Sequence, residues 1–552
     1  MKKTTQFLLS ILTGAMLWMS WPPHGFAFLS FFAFIPLLMV SQDLVEKKVR
    51  SPFWNGVLFS YLSFFIWNAS TTWWVWNSTP EGAIAMVVLN SLFMSLVFGC
   101  WQRFRSLGLS MMAEAAALVS FWCSWEFLHL HWDLTWPWLN LGNIFSSCTE
   151  YVQWYEFTGG FGGTVWILVA NLIGAQLLKN LRGNQRKTLR TGSALLLWII
   201  LPAVGSLVHY HTYPHFNQDP KKDLEIIIAQ PNTDPWEEEY FLSNRELAQR
   251  ILSVSDSLLT PKTSIIVCPE SAIPHSISYD GLYDHGNSLN ENYNFFDLFD
   301  STLATYPQLN IITGMSTVKF YDHKATETAR ETGNGHYMDF YNTSICYNRK
   351  GVVGTYFKSK LVPGVEKMPY PQIFGFLEKA AIDLGGTSGS LGRDSVQRVF
   401  EMEGSRVKVG VPICYESAYG EHFGEFVRNG AQLMAVITND AWWGNTPGYK
   451  QHFLLSKLRA VETRRSILRA ANTGTSAFID ERGDVHQSTA YETRTAIRQT
   501  LTPNNTLTFY TRYGDYIARI CLFIALATVL LALSLRVRRK VQTKRKNTLE
   551  NI

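Results

Sequence analysis

Val407-Lys408-Val409-Gly410-Val411-Pro412-Ile413-Cys414-Tyr415-Glu416 is an apolar, β-branched run that stops at a cysteine. It reads as a buried strand delivering Cys414 to a sharp turn at the edge of a core. A thiol there is held from behind and open in front, which suits a nucleophile. A lone buried cysteine also serves as a small hydrophobe, so the choice rests on the rest of the chain.

The 552 residues are unevenly composed: sixteen of nineteen tryptophans fall before residue 200, where charged residues are sparse. A mean hydropathy of −0.01 therefore averages an apolar part and a soluble part. The net charge of +5 comes from short basic clusters between apolar runs, which is not a nucleic-acid footprint. The seven cysteines (100, 123, 148, 268, 346, 414 and 521) form no CxxC pair and suggest neither a zinc site nor a disulfide framework. His209, His211 and His215 lack a carboxylate or thiol in ligand spacing, so no metal is expected.

Apolar segments occur at about 6–20, 25–41, 54–74, 82–101, 109–130, 162–179, 192–210 and 515–536. Each is near the roughly 20 residues that a helix needs to cross a bilayer. The first lacks a small-x-small cleavage site and is followed by further spans, so it reads as a span and not a signal peptide. Basic residues fall in alternate connections: Lys2 and Lys3; Lys47, Lys48 and Arg50; Arg103 and Arg105; five between 179 and 190; seven between 536 and 546. Stretches 75–81 and 131–160 have none. That bias predicts eight spans with both termini cytoplasmic and the region after span seven outside. The expected domains are 1–210 (spans one to seven), 211–510 (extracytoplasmic), 511–536 (span eight) and a basic tail, 537–552. His131, Trp132, Trp136, Trp138, Trp154 and Tyr155, in the loop without Lys or Arg, read as headgroup-zone aromatics.

From Asp223 the pattern changes. Leu224–Ala229, Ser264–Cys268, Asn310–Thr313, Val407–Val411 and Leu433–Thr438 read as buried strands; Gly420–Asn429 and Tyr449–Arg464 read as helices. This alternation predicts an α/β domain. Residues 318–345, polar and aromatic with several Gly and His, read as a loop and a candidate lid, and Gly385–Gly389 as a turn.

Three strand ends each present a reactive side chain: Glu270 in Val267-Cys268-Pro269-Glu270, Lys358 in Tyr356-Phe357-Lys358-Ser359-Lys360, and Cys414. Lys360 rivals Lys358, because period-two alternation points both the same way. A free thiol near pKa 8.5 needs a base and benefits from a nearby cation. A glutamate supplies the first, and a lysine supplies the second and an oxyanion donor.

Glu, Lys and Cys in that order resemble the nitrilase superfamily, whose αββα sandwich carries such a triad. Lys358-Ser359-Lys360-Leu361-Val362-Pro363-Gly364-Val365-Glu366, Ile413-Cys414-Tyr415-Glu416, Asn439-Asp440-Ala441-Trp442-Trp443-Gly444, Gln451-His452-Phe453, Arg459-Ala460-Val461-Glu462 and Arg469-Ala470-Ala471-Asn472-Thr473-Gly474 resemble the apolipoprotein N-acyltransferase family. Pro-Gly-Val-Glu stands where the family more often has Pro-Phe-Gly-Glu. The resemblance implies an integral membrane α-helical bundle of eight spans plus a nitrilase-like αββα sandwich. It implies Glu270 as proton acceptor, Lys358 as oxyanion stabiliser and Cys414 as nucleophile. It also implies supporting roles for Glu366, Tyr415 and Glu416, with Asp440, Trp442 and Trp443 shaping the pocket; Trp236 matches too loosely for a role. The implied reaction moves an acyl chain from a glycerophospholipid, through a thioester, to the α-amine of a diacylglyceryl-cysteine lipoprotein. It needs no cofactor or metal, involves no nucleic acid, and implies a monomer in a bacterial cytoplasmic membrane. A membrane-tethered amidase and an inactive lipid- or lipoprotein-binding module are the alternatives.

Overall fold

In the computed structural model, residues 1–550 are described except 182, 215–222, 284–293 and 375–389. His215 and the 385–389 turn therefore lie outside the described residues.

Helices occupy each expected span: Lys3–Ser20, Ala27–Glu46 (interrupted at Phe34), Pro52–Thr72, Pro80–Arg105, Met111–His129, Tyr155–Asn180, Gln185–Thr212 and Tyr516–Glu550. Five are long and apolar enough to cross a membrane: the second, fourth, sixth, seventh and last. The other three carry more polar residues, many of them turned into the bundle. Ser63 Oγ donates to the Ser10 carbonyl at 2.8 Å, and Asn90 Nδ2 donates to Asn68 Oδ1 at 2.7 Å. Such bonds hold apolar helices together where lipid offers no hydrophobic drive.

The 131–160 loop, which has no Lys or Arg, is not an open aromatic belt. It folds into short 3₁₀ turns (Pro137–Leu139, Leu141–Ser147, Thr149–Tyr151) and buries Trp138 and Tyr155 almost completely. Trp136 and Trp138 meet Tyr415, Trp443 and His452 of the α/β domain, whereas Trp132 and Trp154 pack on the bundle, contacts that hydropathy along one segment does not encode.

The soluble domain is two facing sheets. The first contains β1 (Leu224–Gln230), β2 (Thr263–Val267), β3 (Ile273–Ser278), β4 (Asn310–Tyr321), β5 (Arg330–Gly333), β6 (His336–Asn348) and β7 (Gly351–Phe357). The second runs in chain order through β8 (Val399–Glu401), β9 (Lys408–Gly410), β10 (Leu433–Thr438), β11 (Ile467–Ala471), β12 (Ala477–Ile479) and β13 (Val485–Ser488). Then β14 (Thr495–Leu501) returns to the first sheet, antiparallel to β1. The strands β1, β2 and β4 are mutually parallel, as are β9, β10 and β11.

Ile226, Ile228, Ile265 and Val267 from one sheet meet Val409, Ala435, Ile437 and Ala470 from the other in a closed core. Ile227, Ile266 and Ile311 face outward onto helices Asn244–Asp256 and Phe296–Thr305. Gly420–Arg428 and Pro447–Thr463 pack the far side. Strands covered on both faces read as continuous apolar runs, which is why β1, β2 and β10 were legible. The layers are αββα.

Residues 318–345 are loop only over 322–329. They complete β4 and form β5 and β6, paired in register from Ile311↔Tyr347 to Tyr321↔Tyr337. Alternating Thr, Val, Phe and Tyr suit a half-exposed hairpin. The Gly333-Asn334-Gly335 corner, with left-handed backbone at all three, turns only its tip.

Candidate active site

Glu270 follows β2, Lys358 follows β7 and Cys414 follows β9, so all three leave the same edge of the sandwich. Gly314 on β4 lets the Glu270 turn lie flat, since a Cβ there would sit 2.6 Å from Glu270 Cα. Cys414 takes a left-handed φ of +51°. A non-glycine residue holds that conformation at a cost of order 1 kcal/mol, and only where its surroundings fix it.

Lys358 is buried with its ammonium between two carboxylates. Nζ donates to Glu270 Oε1 at 3.0 Å and to Glu366 Oε1 at 2.7 Å. Burial alone would lower its pKa, but the Glu270 and Glu366 carboxylates more than offset it, so it stays charged. Lys360 does not enter the site: its Nζ lies 5.0 Å above the Tyr419 ring. The turn after β7 breaks the strand alternation that made the two lysines equivalent.

Glu270 accepts further bonds from Asn342 Nδ2 at 2.8 Å and from the Asn439 backbone N–H at 3.0 Å. Glu366 Oε2 accepts from the Val362 N–H at 2.8 Å. Asn342 lies in the stretch that looked like a loop, so its contribution was hidden. Burial pushes the Cys414 thiol well above its ordinary value, and the Glu270 carboxylate adds to this; Lys358 and a hydrogen bond with Thr438 pull the other way. The resting thiol is neutral.

Glu416 does not face the reaction. Its Oε1 accepts from Tyr356 Oη (2.6 Å), the Ser359 N–H (2.7 Å) and the Lys360 N–H (3.2 Å), while Oε2 accepts from the Ile413 N–H (2.7 Å). One carboxylate thus ties the lysine turn to the cysteine turn. Burial would raise its pKa, but His422 and these donors hold it at about 2. Glu239, from the loop after β1, accepts from Asn439 Nδ2 at 3.0 Å and is pushed up by burial to about 8. Nothing in the sequence around it marked this residue.

Cys414 opens into a cavity of about 210 Å³ between the soluble domain and helix Pro80–Arg105. Gly82, Ala85, Met86 and Leu89 line one wall; Trp74, Trp136, Trp138 and Trp443 line another. Tyr415 also lines it, its hydroxyl donating to the Thr135 carbonyl at 3.0 Å. The two adjacent tryptophans separate. Trp443 packs on Trp74 at 4.8 Å, whereas Trp442 meets Trp236 edge-on at 4.8 Å, away from the cavity. Val362, Pro363, Gly364, Val365 and Pro369 line a further side, and Lys367 Nζ from the same loop reaches Asp133 Oδ1 at 2.9 Å.

This geometry pairs a neutral thiol with a carboxylate and a fixed cation, at the end of an apolar chamber that begins among apolar helices. The carbon-nitrogen hydrolase family model matches residues 228–506, and the apolipoprotein N-acyltransferase N-terminal domain model matches residues 13–173. The apolipoprotein N-acyltransferase of Chlorobaculum tepidum is 28% identical over 95% of this chain and 96% of its own. That of Geobacter metallireducens is 24% identical over 96% and 95%. Among solved structures, Saccharomyces cerevisiae Nit3, a member of branch 10 of the nitrilase superfamily, is similar at a TM-score of 0.35 and 16% identity, over 51% of this chain and 91% of that one. The chain belongs to the carbon-nitrogen hydrolase family, in its membrane-embedded branch of apolipoprotein N-acyltransferases.

Proposed function

We propose that this chain moves a fatty acyl group from a glycerophospholipid to the α-amine of a diacylglyceryl-cysteine at a lipoprotein N-terminus, by way of a Cys414 thioester. The observation that carries this reading is the apolar cavity that runs from helix Pro80–Arg105 to Cys414. A soluble amide substrate needs no such chamber, and a lipid chain does.

Glu270 takes the thiol proton as Sγ attacks the ester carbonyl, and the Lys358 ammonium receives the developing oxyanion. Collapse breaks the ester C–O bond, and the leaving alkoxide takes the proton back from Glu270 as lysophospholipid. In the second half, the neutral α-amine attacks the thioester carbonyl and gives its proton to Glu270. The C–S bond breaks, an amide is released, and the thiolate recovers its proton. Glu366 shares Lys358 with Glu270, which keeps the ammonium aimed while Glu270 changes charge. Both substrates arrive within the bilayer, with both termini cytoplasmic and the αββα domain on the opposite face. The apolar chamber keeps water from the thioester.

Intact-protein and peptide mass spectrometry after incubation with phospholipid and no acceptor tests this reading. It expects an acyl-sized increase on Cys414 that is lost on adding a diacylated lipopeptide, which becomes N-acylated. Acylated lipopeptide formed while Cys414 stays unmodified would rule out the thioester.

A further inference from the structure

His452 touches neither the thiol nor the cavity, yet it sits at the centre of a fully buried polar cluster behind the nucleophile. The strained Cys414 backbone turns its carbonyl inward, where Ser417 Oγ donates to it at 2.8 Å and His452 Nε2 lies 3.1 Å away. Arg469 Nη2 donates to Asp440 Oδ2 at 2.7 Å and reaches His452 Nδ1 at 3.1 Å. Asp440 Oδ1 lies 3.0 Å from that same Nδ1 and accepts from Thr438 Oγ1 at 3.0 Å. The cluster therefore meets Cys414 at its backbone carbonyl, through His452 and Ser417.

A neutral imidazole has one N–H to give. Both ring nitrogens face an acceptor, Nδ1 the Asp440 carboxylate at 3.0 Å and Nε2 the Cys414 carbonyl at 3.1 Å and Ser417 Oγ at 2.9 Å, and Arg469 at 3.1 Å from Nδ1 is the donor that lets the proton sit on Nε2. With the proton there, removing the imidazole leaves the buried carbonyl of a strained turn with Ser417 as its donor, and the elbow is free to relax.

We propose that His452 is a positioning residue that holds the Cys414 elbow by donating Nε2–H to its carbonyl, so that the thiol stays within reach of Glu270 and the incoming ester. This rests on the acyl-transfer reading above. The test is single-turnover acylation of Cys414 in the purified full chain, with dipalmitoyl phosphatidylethanolamine in mixed micelles and with a short-chain p-nitrophenyl ester. A displacement of about 1 Å at a reacting atom costs roughly 100-fold in rate. His452→Ala and His452→Asn are expected to slow both donors by about that factor, with KM little changed. His452→Gln, whose amide nitrogen reaches the Nε2 position, is expected to recover most of the rate. Asn reaches only the Nδ1 position, so a role in packing alone does not separate the two. Equal rates for the Gln and Asn variants, or a wild-type rate for Ala, would overturn the proposal. If the wild-type chain acylates Cys414 with neither donor, the acyl-transfer reading itself is at fault.

Discussion

Lys358 and Lys360 are chemically identical and two residues apart, and the difference between them is entirely one of placement. The first lies between Glu270 and Glu366; the second rests on the Tyr419 ring. Loss of an oxyanion donor costs roughly 100- to 1,000-fold in rate. Lys358→Ala is expected to slow Cys414 acylation by that order, and Lys360→Ala by less than about threefold, measured by mass spectrometry in a quenched time course. Glu416 makes a pH-dependent prediction. Its folded pKa of about 2 lies below the ordinary 4.5, so its contribution is fully present above pH 4.5 and is lost as pH falls toward 2. The wild-type thermal midpoint is expected to fall over that interval. The Glu416→Gln midpoint is expected to be lower at neutral pH, where a donating amide faces backbone N–H groups, and flatter below it. Glu270 and Cys414 were legible because each ends an apolar strand. Asn342 and Glu239 were not, because a polar residue on a strand or loop gives no signal of the carboxylate or amide it meets across the fold.

At the scale of elements, the buried strands declared themselves and the hairpin did not. β1, β2 and β10 are covered on both faces and so carry unbroken apolar runs, Ile226–Ala229, Ile265–Val267 and Leu433–Ile437. β6 has one open end, and its His, Asp and Asn residues resemble a loop until Tyr341, Thr343 and Ile345 are seen to alternate inward. Helix Pro447–Thr463 shows the same limit. Gln451 Oε1 accepts from the indoles of Trp74 (3.1 Å) and Trp138 (2.8 Å), while Nε2 donates to the carbonyls of Pro22 (3.0 Å) and Thr71 (3.1 Å). All the hydrogen-bonding groups of one side chain are used, and every partner belongs to the bundle. Removing it leaves two buried indole N–H groups unpaired, at about 1–3 kcal/mol each, and frees two tryptophans of one cavity wall. Gln451→Ala is expected to lower the thermal midpoint and to raise KM for a long-chain phospholipid about tenfold, read in a vesicle or mixed-micelle acylation assay.

Across the whole molecule, the two halves are joined by buried polar contacts as well as by apolar packing. Arg464, almost wholly enclosed, donates to Glu156 Oε2 at 2.8 Å and to Gln153 Oε1 at 2.7 Å. Removing one partner of a buried pair typically costs 3–5 kcal/mol, so the αββα domain is held firmly on the bundle. A firmly held domain makes the cavity a fixed chamber whose size is set by helix Pro80–Arg105. Ala85 is both a lining residue and exposed on the outer surface of that helix, so it marks where the chamber opens sideways between the apolar helices. An indole at this position fills the opening and leaves the Glu270–Lys358–Cys414 cluster untouched. Ala85→Trp is therefore expected to lower the ratio of palmitoyl-phospholipid to short-chain ester acylation by tenfold or more, because only the long chain needs the side entrance. An unchanged ratio would mean that lipid reaches Cys414 by another route, such as beneath the Val362–Pro369 loop. A matching substitution there, Val365→Trp, would then carry the effect instead.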